Sequence, residues 1–270
     1  MYQQILANIR TNLIFYRRNR LLIAVVVFLV MVLGLTTLSS FFFESNTQHL
    51  EQLRQLFTTV NRLSLVLTAG LGFVLISQHI RDRSIKMVFT KPCLPETWLL
   101  SSYLSAALVA FVLYVGSFLM VSALSLIWKV PYPSGIFFIS VNQFFQTVSF
   151  MAYATFLSAI LHPVLAATVL LVFREGFFYT LKIILASGIK AAGAKPFVPF
   201  LKFVKLFLDA AYLALPTFNP YAEKTAPVYS SLRGSDANWN YLFPAVAYAL
   251  TVSALFYFLT VYALKKKRYV

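Results

Sequence analysis

The sequence predicts an all-α membrane protein. It has six transmembrane helices, an N-terminal interfacial helix, re-entrant or interfacial helices between spans five and six, and both termini in the cytoplasm. Three observations predict this class. Of 270 residues, 60% are hydrophobic and only 11% are charged, against about 25% charged in a soluble domain. Five stretches carry no Asp, Glu, Lys or Arg: 21–43, 63–80, 97–128, 130–173 and 237–264. A helical crossing takes about 20 mostly apolar residues. The net charge of +15 is concentrated in short segments that flank these stretches, which is the pattern that orients membrane proteins. Disorder and an ordinary soluble fold are excluded by composition. Nucleic-acid binding is excluded too, because a basic stripe needs a polar fold to carry it.

The elements follow in order. Residues 1–20 hold Tyr2, Ile5, Leu6, Ile9, Leu13 and Tyr16 at helical spacing, with polar Gln3, Gln4, Asn8, Arg10 and Asn12 between them. That predicts an amphipathic helix lying in the headgroup plane. Span one covers about 21–43, too long for the apolar core of a signal peptide. Span two covers about 60–80 and span three about 98–128. The stretch 130–173 is too long for one crossing and contains His162-Pro163. Proline disfavours helix at the residue before it, so span four is placed at 136–161 and span five at 163–182. Span six covers 242–264.

Arg10, Arg17, Arg18 and Arg20 precede span one, Arg81, Arg83, Lys86 and Lys91 follow span two, and Lys265, Lys266, Lys267 and Arg268 follow span six. These groups of four hold twelve of the 23 basic residues, and six crossings put all of them on the cytoplasmic side. Residues 182–241, at and beyond the end of span five (outer region 183–241), break the rule with Lys182, Lys190, Lys195, Lys202, Lys205, Lys224 and Arg233. Within it, Phe197–Leu215 is apolar, with Lys202, Lys205 and Asp209 on one helical face. That pattern suits an interfacial or re-entrant helix. The segment 217–241 reads as a solvated loop. Trp128, Tyr132, Trp239 and Tyr241 fit an interfacial aromatic belt.

No catalytic constellation is present. The chain has no G-x-x-x-x-G-K-[ST] loop and no G-x-S-x-G elbow. Cys93 is alone, and His49, His79 and His162 lie far apart, as polar or interfacial residues rather than ligands. Gly70 and Gly72 sit inside an apolar helix, where close helix packing explains them. Arg174 and Glu175 are the charges embedded in span five. They read as pathway charges, as an ion pair at a dimer interface, or as an arginine snorkelling from a short span. Phe144, Phe145, Phe150 and Tyr153 serve packing or line a path for an apolar or amphipathic substrate.

The segment 81–97 is the most informative. Arg81, Arg83, Lys86 and Lys91 supply charge, Ile85, Met87, Val88 and Phe89 supply apolar anchors, and Pro92 and Pro95 turn the chain into a long apolar helix. Physically this is a short helix across the membrane face, gripping anionic lipid, offered to a cytoplasmic partner, or both.

Here the chain resembles the membrane subunit of ABC transporters of the ABC-2 export type. Arg83-Ser84-Ile85 stands where that family has basic-Thr-apolar, and Phe89-Thr90-Lys91-Pro92 matches its apolar-x-Lys-Pro step. Ser101-Ser102 replaces the usual Gly-Lys, and Gln78 or His79 replaces the usual Glu. Ala214-Leu215-Pro216-Thr217-Phe218-Asn219-Pro220 is similar to the turn before the last span in some of these permeases. The resemblance implies a permease subunit in a bacterial or archaeal cytoplasmic membrane. It implies no catalysis and no cofactor on this chain, with ATP and Mg bound by a separate ATP-binding cassette subunit. It implies a second permease copy or a homologous permease beside this one. The coupling loop would use Arg81, Arg83, Ser84, Lys86, Met87, Phe89, Lys91 and Pro92. Two other classes fit the composition: a secondary transporter or channel, and a non-transport scaffold or assembly factor.

Overall fold

The computed structural model of the chain describes residues 2–18, 46–81, 95–162, 165–166, 169–170, 175–192, 196–214, 227–228 and 231–268. Among these residues the protein is all-helical. Three helical segments are long and apolar enough to cross a membrane: His49–Val74, Glu96–Ile127 and Trp239–Lys266. The expected span at 21–43 lies outside the described residues. The chain divides into two compact units, residues 1–160 with 221–270, and residues 161–220.

In the first unit, α1 spans Tyr2–Arg18, α2 Asn46–Arg81, α3 Pro95–Ile127, α4 Ile136–Ile160 and α7 Leu242–Arg268. Helix α1 has no Gly, Pro or acidic residue. It turns Ile5, Asn8, Ile9, Asn12 and Tyr16 inward, against α3. The predicted apolar stripe is therefore split, because Tyr2, Leu6 and Leu13 stay exposed.

Helix α2 begins well before the predicted span at 60. Its extra turns carry the ion pair between Arg54 and Glu51. They also carry Leu53, Leu56, Phe57 and Val60, which recur at i, i+3, i+4 and i+7 and are all buried. That is the spacing of one helix face, so packing extends the helix past the charges.

Helix α3 starts at Pro95, where a missing N–H costs nothing. It ends in a Schellman turn: Val130 N donates to Ser125 O (3.0 Å) and Lys129 N to Leu126 O (3.2 Å). Lys129 supplies the left-handed residue at φ 53°. Pro131, Pro133 and Gly135 then turn the chain into α4. The end of α4 at Ile160 falls just short of His162-Pro163, the expected break.

Helix α4 packs on α2, α3 and α7 and buries side chains all round. Asn142, Gln143 and Gln146 place three amide side chains in its first half. At the end of the unit where α3 meets α4, Leu53, Leu56, Phe57, Val121, Ile136 and Ile139 form an apolar cluster. Val228 and Leu232 complete it, so the segment read as a solvated loop drives two side chains into the core. Gly135 N donates to Leu232 O at 2.8 Å. A Cβ on Gly135 would stand 2.9 Å from the Leu232 carbonyl, so only glycine allows this approach. The aromatic side chains gather here too. Trp128 stacks on His49 at 5.3 Å, and Trp239 meets the Phe138 ring edge-on at 5.2 Å.

In the second unit, α5 spans Glu175–Ala192 and α6 spans Val198–Ala214. They pack on each other, and Lys182 Nζ pairs with Asp209 Oδ1 at 2.7 Å. Helix α5 runs past the predicted boundary at 182. Helix α6 falls inside the apolar stretch expected to be helical. Phe200, Phe203 and Phe207 recur on one exposed face of it.

Candidate functional site

The other end of the first unit is built on small hydroxyl side chains. Thr97, Ser101, Ser102 and Ser105 lie on one face of α3, and all are buried. Ser101 and Ser102 each donate to Trp98 O, at 2.7 and 2.9 Å, and Ser105 donates to Ser101 O. Each of these three serine hydroxyls is satisfied within its own helix, so burial costs little and the face stays thin. A second helix can then approach closely. Asn12 Nδ2 of α1 donates to Ser105 Oγ at 3.1 Å.

One turn later α1 inserts Tyr16, 2% exposed and the only described residue of that helix that is fully buried. Its ring enters a junction of α2, α3 and α4, beside a void of about 10 Å³ lined by Gly72, Ser102, Tyr103, Ala106, Met151 and Thr155. The Tyr16 hydroxyl has no protein partner, and burial pushes its pKa well above the ordinary tyrosine value. The void is near the smallest that holds a water. A Cβ on Gly72 would meet Met151 Cγ at 2.9 Å, so that glycine sets how closely α2 and α4 pack. Gly70 has open space at the same test.

The junction continues to the terminus of the chain. Thr155 Oγ1 donates to the Tyr103 hydroxyl (2.9 Å), which donates to Ala152 O (3.2 Å). Tyr103 meets Tyr257 of α7 edge-on at 5.7 Å. Tyr257 donates to Glu96 O at 3.0 Å, and Lys265 pairs with the Glu96 carboxylate. Glu96 is the second residue of α3, just after 82–94. Arg81 closes α2 at this same end, since α2 and α3 run antiparallel. His49 at the start of α2 stacks on Trp128 beyond the end of α3, whereas Gly72 near the other end of α2 lies beside Ser102.

The middle of the unit holds a second polar level. The Tyr114 hydroxyl pairs with Thr147 Oγ1 at 2.6 Å, and Ser117 donates to Asn61 Oδ1 at 3.3 Å. On α4, Ser140 Oγ, Asn142 Nδ2 and Gln146 Nε2 are buried without a partner. Between α3 and α4 runs a groove of about 500 Å³ lined by aromatic and aliphatic side chains, among them Phe111, Tyr114, Phe137 and Phe144. Phe144 packs edge-on against Phe111 and Tyr114, so it does the packing job as well as facing the groove. No group of three or more His, Cys, Asp or Glu converges among the described residues.

Of the residues expected to couple to a partner, Arg81 is the last residue of α2. Arg83, Ser84, Lys86, Met87, Phe89, Lys91 and Pro92 lie outside the described residues, as does Arg174. Glu175 is the first residue of α5. Ser101 and Ser102 lie in the junction itself. Tyr16 is the functional candidate that the sequence did not single out. Its spacing placed it on the apolar stripe, but nothing local separates the member that penetrates a junction from those that meet solvent or lipid.

The fold and site define a class: among the described residues the protein is all-helical, with three helices long and apolar enough to cross a membrane. No family model and no curated protein matches the chain.

Proposed function

We propose that this chain is the transmembrane permease subunit of an ATP-driven ABC-2 type exporter, integral to a bacterial or archaeal cytoplasmic membrane. It forms the translocation path beside a second permease, and a separate ATP-binding cassette subunit hydrolyses ATP. The observation that carries the reading is convergence at one end of the first unit. There α1 seats on α3, Arg81 and Pro95 flank the basic segment 82–94, and Lys265 of α7 pairs with Glu96. The described parts of the three basic groups that charge asymmetry assigns to the cytoplasm lie on elements that converge there: α1, the last residue of α2 and Lys265 of α7. The end of α1 and the start of α2 lie far apart along α3, as a crossing over 21–43 requires. The aromatic belt residues Trp128 and Trp239 sit at the other end, on the outer side in this reading.

The mechanism follows from the hydroxyl-lined junction. ATP shifts the transporter only by preferring one of its two states. In this reading the preference enters as a push on 82–94. It reaches Glu96 and the α3 hydroxyl face, then Tyr103, Tyr257 and Thr155. The serine hydroxyls are satisfied within α3, so movement across that face strands none of them, whereas the Tyr103 and Tyr257 hydroxyls bond across helices and link α3 to α4 and α7.

The test is charge reversal of Arg83 and Lys86 in the assembled transporter. The expected outcome is loss of transport and of substrate-stimulated ATPase, with the complex still present in the membrane. Unchanged coupling sinks the assignment of this loop. Recovery of the chain from native membranes, with its partners identified, tests membership directly: an ATP-binding cassette subunit is expected. Topology has its own check. In a Cys93→Ser background, cysteines placed at Ser231 and Lys266 should label from opposite sides.

A further inference from the structure

We propose that α1 is a binding surface for anionic phospholipid headgroups, and that Tyr16 reports its occupancy to the junction. The proposal rests on the membrane placement above, not on the identity of the partner. Three observations carry it.

The outward face of α1 is amphipathic in a particular way. Tyr2 is 74% exposed, Leu6 47% and Leu13 36%. Arg10 follows Leu6, and Arg17 follows Leu13, each by one helical turn, so both leucines have a guanidinium beside them on the same face. Apolar anchors at the acyl boundary with arginines at phosphate level are the signature of a helix lying in an anionic interface.

Among the described residues the charge has no acidic partner. Arg10, Arg17 and Arg18 are exposed, and α1 contains no acidic residue. Arg17 and Arg18 in the last turn complement the helix dipole, but Arg10 stands at mid-helix, where the dipole offers nothing. A zwitterionic surface would satisfy the apolar stripe and leave the charge unanswered. Charge complementarity therefore selects the anionic headgroup.

The inward face ends in Tyr16, which is buried where α2, α3 and α4 meet and whose hydroxyl has no protein partner. Helix α1 is a rigid rod about 25 Å long (17 residues at 1.5 Å). Any tilt or depth that lipid imposes on its outer face moves Tyr16 against Ser102, Tyr103 and Met151. Anionic lipid, by holding α1 flat, keeps Tyr16 in place.

The experiment uses the full chain in nanodiscs, with phosphatidylcholine alone or with a minority of phosphatidylglycerol. Hydrogen exchange is read by mass spectrometry over 2–18 and over 98–106. About fivefold in affinity per arginine near an anionic surface leads to exchange over 2–18 at least tenfold slower with phosphatidylglycerol, and slower exchange over 98–106 with it. R10Q/R17Q/R18Q should erase both differences. Y16F should keep both, because the ring still seats. Y16A should keep the effect over 2–18 and lose it over 98–106. Equal exchange in the two lipids, or a lipid effect that survives in the triple variant, overturns the binding surface. A lipid effect over 98–106 that persists in Y16A overturns the role of Tyr16. The cysteine labelling at positions 231 and 266, done in sealed vesicles, reports separately on the six-span reading, so the two can fail independently.

Discussion

The two ends of the first unit solve packing in opposite ways. Around Phe57 the helices are held by large apolar side chains and by Val228 and Leu232, which close the cluster from outside. Around Tyr16 they are held by serines, threonines and tyrosines joined by hydrogen bonds. An interlocked apolar cluster has one good packing, and displacement opens a void or a clash. The serines of α3 are bonded to their own helix and need no register, so the few bonds between helices, chiefly those of the tyrosines, are what must be remade when the helices shift. The difference assigns stiffness to one end and adjustability to the other, and in the proposed permease the adjustable end is where the coupling loop attaches.

The largest expected effect breaks the stiff end. Phe57 is 1% exposed in the centre of the cluster, so Phe57→Ala should destabilise by about 3–5 kcal/mol. Ser102→Ala at the other end should cost under about 1 kcal/mol, because its hydroxyl is already satisfied in its own helix. Denaturant titration of the purified protein in detergent measures both. Comparable losses would remove the contrast.

Gly135→Ala comes next. The added Cβ meets backbone at 2.9 Å and Val228 Cγ1 at 2.8 Å. Neither can swing away like a flexible side chain, so about 1–3 kcal/mol is expected. Gly72→Ala meets only Met151 Cγ and Thr155 Cγ2 within side chains, and flexible methionine should yield at about 1 kcal/mol or less. The same titration ranks the two.

How much of this was legible depends on which force sets each feature. Where a charge-free stretch runs uninterrupted, helix and prediction coincide closely: α3 covers 95–127 against 98–128, and α4 covers 136–160 against 136–161. Hydropathy and proline decide those boundaries, and both are local. Helix α2 starts at Asn46 because Leu53, Leu56, Phe57 and Val60 pack elsewhere in the fold. Their amphipathic spacing was readable, but a search for charge-free runs passes over Glu51 and Arg54. The insertion of Val228 and Leu232 was not readable, since it depends on Gly135 lying opposite them in space. Most of the predicted coupling residues fall outside the described residues. What the structure adds is the pair of contacts, from Tyr257 and Lys265 to Glu96, that ties the downstream end of that loop to α7.

Tyr16 offers a smaller effect with a distinctive pH signature. Its hydroxyl is buried without a protein partner, so Tyr16→Phe should stabilise by about 1 kcal/mol near neutral pH. Burial raises the phenol's pKa in the folded protein. Stability from that site is therefore fully present below the unfolded value of about 10. It is lost as pH rises above that value toward the folded one, because the unfolded state releases its proton first. Tyr16→Phe should flatten the part of the alkaline loss that belongs to this residue. An unchanged alkaline limb would show that Tyr16 is hydrated in solution.

The smallest expected effect concerns the ion pair between Lys265 and Glu96. Their side chains are 49% and 47% exposed, so solvent screens the pair and about 0.5 kcal/mol or less is expected in a double-mutant cycle. That is not grounds for ignoring it. Tyr257 already holds the Glu96 carbonyl at 3.0 Å, and the ion pair adds a second, salt-sensitive tie between α7 and the first turn of α3. A weak tie at the adjustable end can be broken and remade at little cost, which an apolar contact of the Phe57 kind cannot. Lys265→Met and Glu96→Gln should therefore leave unfolding midpoints nearly unchanged. Each should speed hydrogen exchange in the first turns of α3 severalfold, more at low ionic strength than at high. If stability falls by several kcal/mol instead, the pair is a structural clamp, and the two ends of the unit are less different than their side chains suggest.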